Sequence, residues 1–172
     1  MIDEQSTELM DGGIYDEENE DTQQGKFLTF HLGEEVYGIE IRYVTEIIGI
    51  QKITEVPDMP DFIKGVINLR GQVIPVMDVR TRFRMEPREY DDRTCVIVVR
   101  INDLSIGLVV DTVNEVQDIE DKDISPPPSI SKKASSRFLQ GMGKVGDQVR
   151  ILLNVSTLLY EEELAELEQV QA

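Results

Sequence analysis

The residue types that most often carry acid–base or nucleophilic chemistry are scarce here. The chain of 172 residues has one histidine, His31, and one cysteine, Cys95. His31 sits inside the strand-like run FLTFHL and reads as a solvent-facing strand residue. Cys95 lies in TCVIVV with no second thiol or neighbouring histidine, which suits a small core residue better than a nucleophile. No Cys/His spacing fits a metal, no Gly-rich loop fits a phosphate, and no apolar-flanked carboxylate pair marks an acid and its base. The expectation is a protein without catalytic residues, cofactor or metal. A hydrolase or lyase built on Asp78 or Glu46 is the rival, and it lacks any partner group in sequence.

Arginine offers more. Arg80, Arg82, Arg84, Arg88 and Arg93 form a cluster that could face an acidic partner. The simpler expectation is that they neutralise the adjacent acids of EPREYDD. Arg70 differs, because it stands in NLRG between the apolar runs GVINL and QVIPVMDV. A guanidinium there can present a fork of donors to a partner or tie the turn to Glu46 or Asp78.

The elements that must carry these residues are mostly strands. FLTFHL and VYGIEI alternate about Gly33 and predict a hairpin. RYVTEII (42–48) has helical spacing, and QKITEV (51–56) is a strand candidate. GVINL and QVIPVMDV predict strands, with Pro75 marking an edge or bulge. VRTRFRM (79–85) predicts a helical turn. TCVIVVRI and LSIGLVVD predict a second hairpin, and FLQGMGKV with QVRILLNV a last pair. The end of the chain, 157–170, predicts a helix with Ser156 or Thr157 as its cap.

The chain also matches itself. Residues 28–47 lie over 97–116 at a shift of 69, and 62–81 lie over 138–157 at a shift of 76, with coincident glycines. Each copy has about five strands and is too small to be comfortable alone. The expectation is a mainly β protein of two five-stranded barrels over about 27–85 and 94–157. They share an apolar seam, and whether a strand crosses between them is left open.

Charge separates the ends from the middle. The net charge is −17, yet residues 1–25 hold nine acids and 161–172 hold five, both without Lys or Arg. Residues 1–25 read as a disordered acidic tail. Nucleic acid and anionic membrane surfaces are disfavoured as partners, because both need a basic surface. No apolar run is long enough for a membrane span.

Together, FLTFHLGEEVYGIEIRYVTEI, FIKGVINLRGQVIPVMDVR and GLVVDTVNEV resemble the CheW-type chemotaxis adaptor family over about residues 26–160. The resemblance implies two SH3-like barrels and a non-catalytic role in the cytoplasm at membrane-associated receptor clusters. It implies two partners, the regulatory domain of a CheA-type histidine kinase and the cytoplasmic tip of methyl-accepting chemoreceptors. The positions matching the family's receptor-contact pattern are Val44, Glu46, Arg70, Val96, Gly107 and Val116. The Ile124 to Ile130 loop, with Ile124, Ser125 and Ile130, is a candidate for a second kinase contact.

Overall fold

The alternation in FLTFHL forms β1 (Lys26–Leu32), which turns at Gly33 and pairs antiparallel with β2 (Glu35–Glu40). This is a computed structural model, and it describes residues 23–127 and 137–171. After β2 the short helix or helical turn expected over 42–48 is reduced to its first residues. A single 3-10 turn, Ile41–Tyr43, leads into β3 (Val44–Gly49). Val44, Glu46 and Ile48 are half-buried while Thr45, Ile47 and Gly49 are exposed, so the period is two. The β-branched side chains fit that pleat better than a helix.

The remaining strands are β4 (Ile63–Leu69), β5 (Gln72–Asp78), β6 (Cys95–Ile101), β7 (Leu104–Val110), β8 (Thr112–Asp118), β9 (Ile124–Ser125), β10 (Leu139–Val145) and β11 (Gln148–Leu153). A short helix α1 (Val79–Arg82) follows β5, and α2 (Glu161–Gln171) ends the chain. The strands form two mixed sheets, ordered β8-β1-β2-β11-β10-β9 and β3-β6-β7-β5-β4. Each sheet curls back on itself. The chain beyond β3 bridges β4 at Thr54–Val66, and the chain beyond β8 returns as β9 onto β10. The predicted strand 51–56 is therefore reduced to that one bridge.

Pro75 is not on an edge strand, since β5 lies between β4 and β7. It is tolerated because the parallel ladder to β7 begins only at Val76.

The two sheets have one register. A shift of 69 carries the pairs Leu28↔Val116 and Phe30↔Val113 onto Ile97↔Ile47 and Val99↔Val44. The same shift on one strand and 76 on the other carries Val76↔Gly107 onto Leu152↔Gly38. Even the closing contacts correspond. A Cβ on Gly65 would lie 2.1 Å from Thr54 O, and one on Gly141 2.6 Å from Ser125 O. Both glycines let the returning chain pass.

The sheets do not follow the contiguous halves 27–85 and 94–157. The hairpin β1–β2 sits with β8–β11, and the hairpin β6–β7 sits with β3–β5. The two repeats exchange their first hairpins.

Burial follows this plan. Ile67, Leu69, Ile74, Val76, Val96, Val98 and Val109 fill the β3–β7 unit, and Phe27, Ile119 and Leu152 fill the other. The largest cluster joins both sheets and includes Phe30, Ile39, Met77, Ile97, Leu108 and Val155. At roughly 1.5–3 kcal/mol for each large buried side chain, this seam holds the units together. Helix α2 covers it with Leu167, which is buried. The cap expected at Ser156 or Thr157 is not there, because those residues form a 3-10 turn capped by Asn154. The Tyr160 N–H instead donates to Glu163 Oε1 at 2.7 Å, the backward half of a capping box.

Candidate functional site: an interaction surface around Arg70

The β4–β5 connection is a tight hairpin turn. Arg70 has φ 52° and Gly71 φ 87°, and the Gly71 N–H donates to Asn68 Oδ1 at 2.8 Å. Two successive positive φ values suit the right-handed twist of the flanking strands. The matching turn of the other repeat has Gly146 at φ 61° in the arginine's place. An L-residue with a long side chain costs about 1–2 kcal/mol there. Arginine thus occupies a strained position that glycine fills without penalty, and its side chain is 71% exposed. Backbone strain under an exposed charged side chain points to a binding role.

The guanidinium is already oriented. It donates to the Glu46 carboxylate, forming an ion pair. That hydrogen bond and the carboxylate charge raise the Arg70 pKa above its ordinary value, so the arginine stays charged. Glu46 belongs to β3, four places from β4 in the sheet order. The curl of the sheet brings the two residues together.

The other residues expected at this surface fall in different places. Val44 is half-buried opposite Val99 and packs against the seam. Val116 is 48% exposed on β8, the edge strand of the other sheet. Val96 and Gly107, also expected at the surface, are covered by the chain itself. A Cβ on Gly107 would lie 2.7 Å from Val96 Cγ1, so the pair serves close packing of β6 on β7. Ile124 is half-buried against Phe27, Ile119 and Leu152, and Ser125 is exposed beside it on β9. Ile130 and residues 1–22 of the acidic tail lie outside the described residues.

Three arginines of the cluster, Arg80, Arg82 and Arg88, neutralise acids, mostly distant ones. Arg80 donates to Asp111 Oδ1 and Oδ2 at 2.7 and 2.6 Å, and Arg88 reaches Asp111 Oδ2 at 3.1 Å. Arg82 grips Glu163 at 2.8 and 3.1 Å. Within the local run, Arg88 meets Asp91 at 3.6 Å and the Arg93 N–H donates to Asp91 Oδ1 at 2.8 Å.

Burial alone would raise the Asp111 pKa. Hydrogen bonds from Arg80 and the Gly33 N–H, with the charges of Arg80 and Arg88, outweigh it and hold the carboxyl below the ordinary range. Sequence reasoning missed Asp111 and Glu163, because only the fold brings them to their arginines.

The carboxylates of the hydrolase alternative are occupied. Asp78 accepts from the Thr81 N–H at 3.1 Å and from the Tyr90 hydroxyl at 2.5 Å, and Glu46 holds Arg70. Burial and that Asp78 contact push the Tyr90 pKa far above its usual value. His31 is a half-buried strand residue, and the Cys95 thiol donates to the Arg93 carbonyl at 3.3 Å.

Exposed apolar side chains also follow the duplication. Ile47 and Val116 are equivalent positions, 44% and 48% exposed. Val73 and Val149 are equivalent too, 40% and 54% exposed. Each sheet therefore carries the same two exposed apolar points beside its polar turn.

A family model for the CheW-like domain matches residues 26–163. The chain belongs to the CheW-like domain family. It is 39% identical over 145 residues to the chemotaxis protein CheW of Klebsiella aerogenes, covering 84% of this chain and 87% of that one. It is 33% identical over 150 residues to the chemotaxis protein CheW of Helicobacter pylori, covering 87% and 89%. The crystal structure of the scaffolding protein TtCheW from Thermoanaerobacter tengcongensis superposes with a TM-score of 0.74 at 36% identity, over 81% of this chain and 94% of that one. The CheW-like family thus accounts for the doubled β fold described above. The mainly β architecture and the absence of a catalytic constellation in the sequence agree with a family of scaffolding proteins.

Proposed function

We propose that this chain is a non-catalytic adaptor of chemotaxis signalling that couples chemoreceptor tips to a CheA-type histidine kinase. The observation that carries the proposal is Arg70, strained in its turn, exposed, and aimed by Glu46. Arg70 and Glu46 fix the orientation of a receptor's helical tip through charge-assisted bonds, with Val44 and Val116 as apolar contacts. Val96 and Gly107 act from beneath, by setting the packing of β6 and β7. The kinase's regulatory domain docks on apolar points of the kind that Ile47, Val73 and their equivalents supply, and Ser125 is a candidate further contact. Residues 26–160 form the working domain and residues 1–25 an acidic extension. No described helix is long and apolar enough to cross a membrane, and the proposed site of action is the cytoplasm, at receptor clusters.

The test is titration calorimetry against the regulatory domain of the kinase and against a receptor-tip fragment. Saturable binding to both is expected. Arg70→Glu should weaken the receptor titration at least about tenfold, as loss of an oriented hot-spot arginine does, and leave kinase binding intact. Unchanged receptor affinity in a folded Arg70→Glu protein would overturn the site.

A further inference from the structure

One end of the seam opens into a groove of about 1160 Å³ that the contacts above do not use. Its floor is aromatic and straddles the duplication, since Phe62 and Phe138 are equivalent residues. The Arg82 guanidinium lies 4.1 Å from the Phe62 ring centre, 4.9 Å from Phe138 and 5.2 Å from Tyr160. Glu163 neutralises it. The rim is basic, with Lys64 and Arg84 on it and Arg137 stacked over Tyr160 at 4.0 Å. Asp61 is the acid on that rim. Neither Lys64 nor Arg84 forms an ion pair with a described residue. A net basic groove is notable on a chain of charge −17.

The backbone gives an independent sign. The non-glycine residues with positive φ are Asp58, Arg70, Arg84 and Asn102 among those described. Asp and Asn enter this region readily, but arginine does not. Arg84, at φ 59°, ends α1 while the Met85 N–H donates to the Arg80 carbonyl at 2.8 Å. That is the position where helices usually place glycine. Arg84 therefore repeats, at the groove, the combination that marks Arg70: a strained backbone beneath an exposed cation.

We infer that this groove binds the chain's own acidic N-terminal segment, residues 1–22. That segment has nine acids and no Lys or Arg, with Leu9, Met10, Ile14 and Tyr15 among them. The acids complement Lys64, Arg84 and Arg137, and the apolar side chains suit the aromatic floor. The distance also fits. Met85 lines the groove and lies 3.7 Å from where a Gly33 Cβ would be, at one end of β1. The other end of β1 is about 20 Å away, and a coil of 22 residues spans about 25 Å. Tethering supplies an effective concentration in the millimolar range, so a weak contact suffices. The inference does not depend on the adaptor assignment. A docked tail would shield this face from other acidic segments.

The full chain tests it, with a spin label at Gly13→Cys in a Cys95→Ser background. Amide signals of Lys64, Arg84 and Met85 should weaken at low salt and recover at high salt. Arg84→Gly relieves the backbone and should keep the fold, while raising the population of undocked tail about fivefold, as loss of one exposed charge pair allows. Amidation of the tail acids should release it as well. Broadening confined to the neighbourhood of Gly25 and Ile119 in every condition would overturn the inference. So would broadening that appears only between labelled and unlabelled molecules, since the tail would then serve a second copy.

Discussion

The two sheets share one hydrogen-bond register and differ in what they put inside it. In the β3–β7 unit, Ile74 and Ile48 meet within an aliphatic interior. At the equivalent places the other unit has Arg150 and Gln117, joined by a 3.0 Å bond from Arg150 Nε to Gln117 Oε1. Arg150 is 7% exposed. Val98, inside the first unit, is matched by Thr29, whose buried hydroxyl donates to the Glu115 carbonyl at 2.6 Å. One scaffold thus tolerates both an apolar and a polar filling, provided the polar groups are satisfied. The turns differ in the opposite sense. The unit with the apolar interior has the strained Arg70, and the unit with the polar interior has the relaxed Gly146. A strained, exposed arginine and a polar interior have been divided between the copies.

Exchanging the interiors should break this comparison most severely. Ile74→Arg places a charge where no described residue of the interior can answer it, and should cost about 3–5 kcal/mol in denaturant unfolding. The reverse change, Arg150→Ile, should lie within about 1 kcal/mol of wild type, because half-buried Gln117 can turn to water. Equal losses in both would mean that the units are not equivalent in packing.

The closing glycines sharpen it next. Gly65→Ala meets backbone at 2.1 Å with φ 144°, and should cost about 3 kcal/mol. Gly141→Ala meets Ser125 O at 2.6 Å without the φ penalty, and should cost less. Thermal melts of the two variants compare them directly.

Asp111→Asn should follow, at about 2–3 kcal/mol, because half-buried Arg80 loses its counter-charge. The equivalent residue, Arg42, makes exposed contacts with Glu40 and Tyr43, and Arg42→Ala should cost under about 1 kcal/mol. The Asp111 carboxyl is held below its unfolded pKa. Its contribution is therefore present above the unfolded value near about 4 and is lost as pH falls through the folded value. Wild type should lose stability on acidification in that window, and Asp111→Asn should lose less.

The smallest effect belongs to Arg70→Gly. Relief of the turn offsets the added chain entropy, so stability should change by less than about 1 kcal/mol. Receptor binding should fall as in Arg70→Glu. A folded but uncoupled protein would separate the arginine's role from the turn's.

Much of this was legible in the residues. Alternation marked both hairpins, and the coincident glycines marked the duplication, down to Gly65 and Gly141. Glu46 was one of two partners named for Arg70, and the fold selects it over Asp78. The hairpin exchange was not legible, and the shared register explains why. A hairpin that fits one sheet fits the other, so local pattern cannot assign it. The segment 43–48 has helical spacing through Tyr43, Val44, Ile47 and Ile48, whereas the strand it forms alternates, with Val44, Glu46 and Ile48 on the inner face. The Arg82–Glu163 pair spans 81 residues, beyond any local rule. Val96 and Gly107 matched a contact pattern, and that both are buried in the packing of β6 on β7 follows only from the fold.

The hairpin exchange also sets a schedule for synthesis. The hairpin β1–β2 is complete at Glu40, but its neighbour β11 begins only at Gln148. At about 5–20 residues per second, the ribosome takes roughly 5–20 s to make the intervening chain. Until β8 and then β11 are made, Phe27, Phe30, Leu32 and Ile39, all buried in the finished protein, lack part of their cover. The first hairpin of the chain is thus completed by its last strands, and the fold closes only when they leave the exit tunnel.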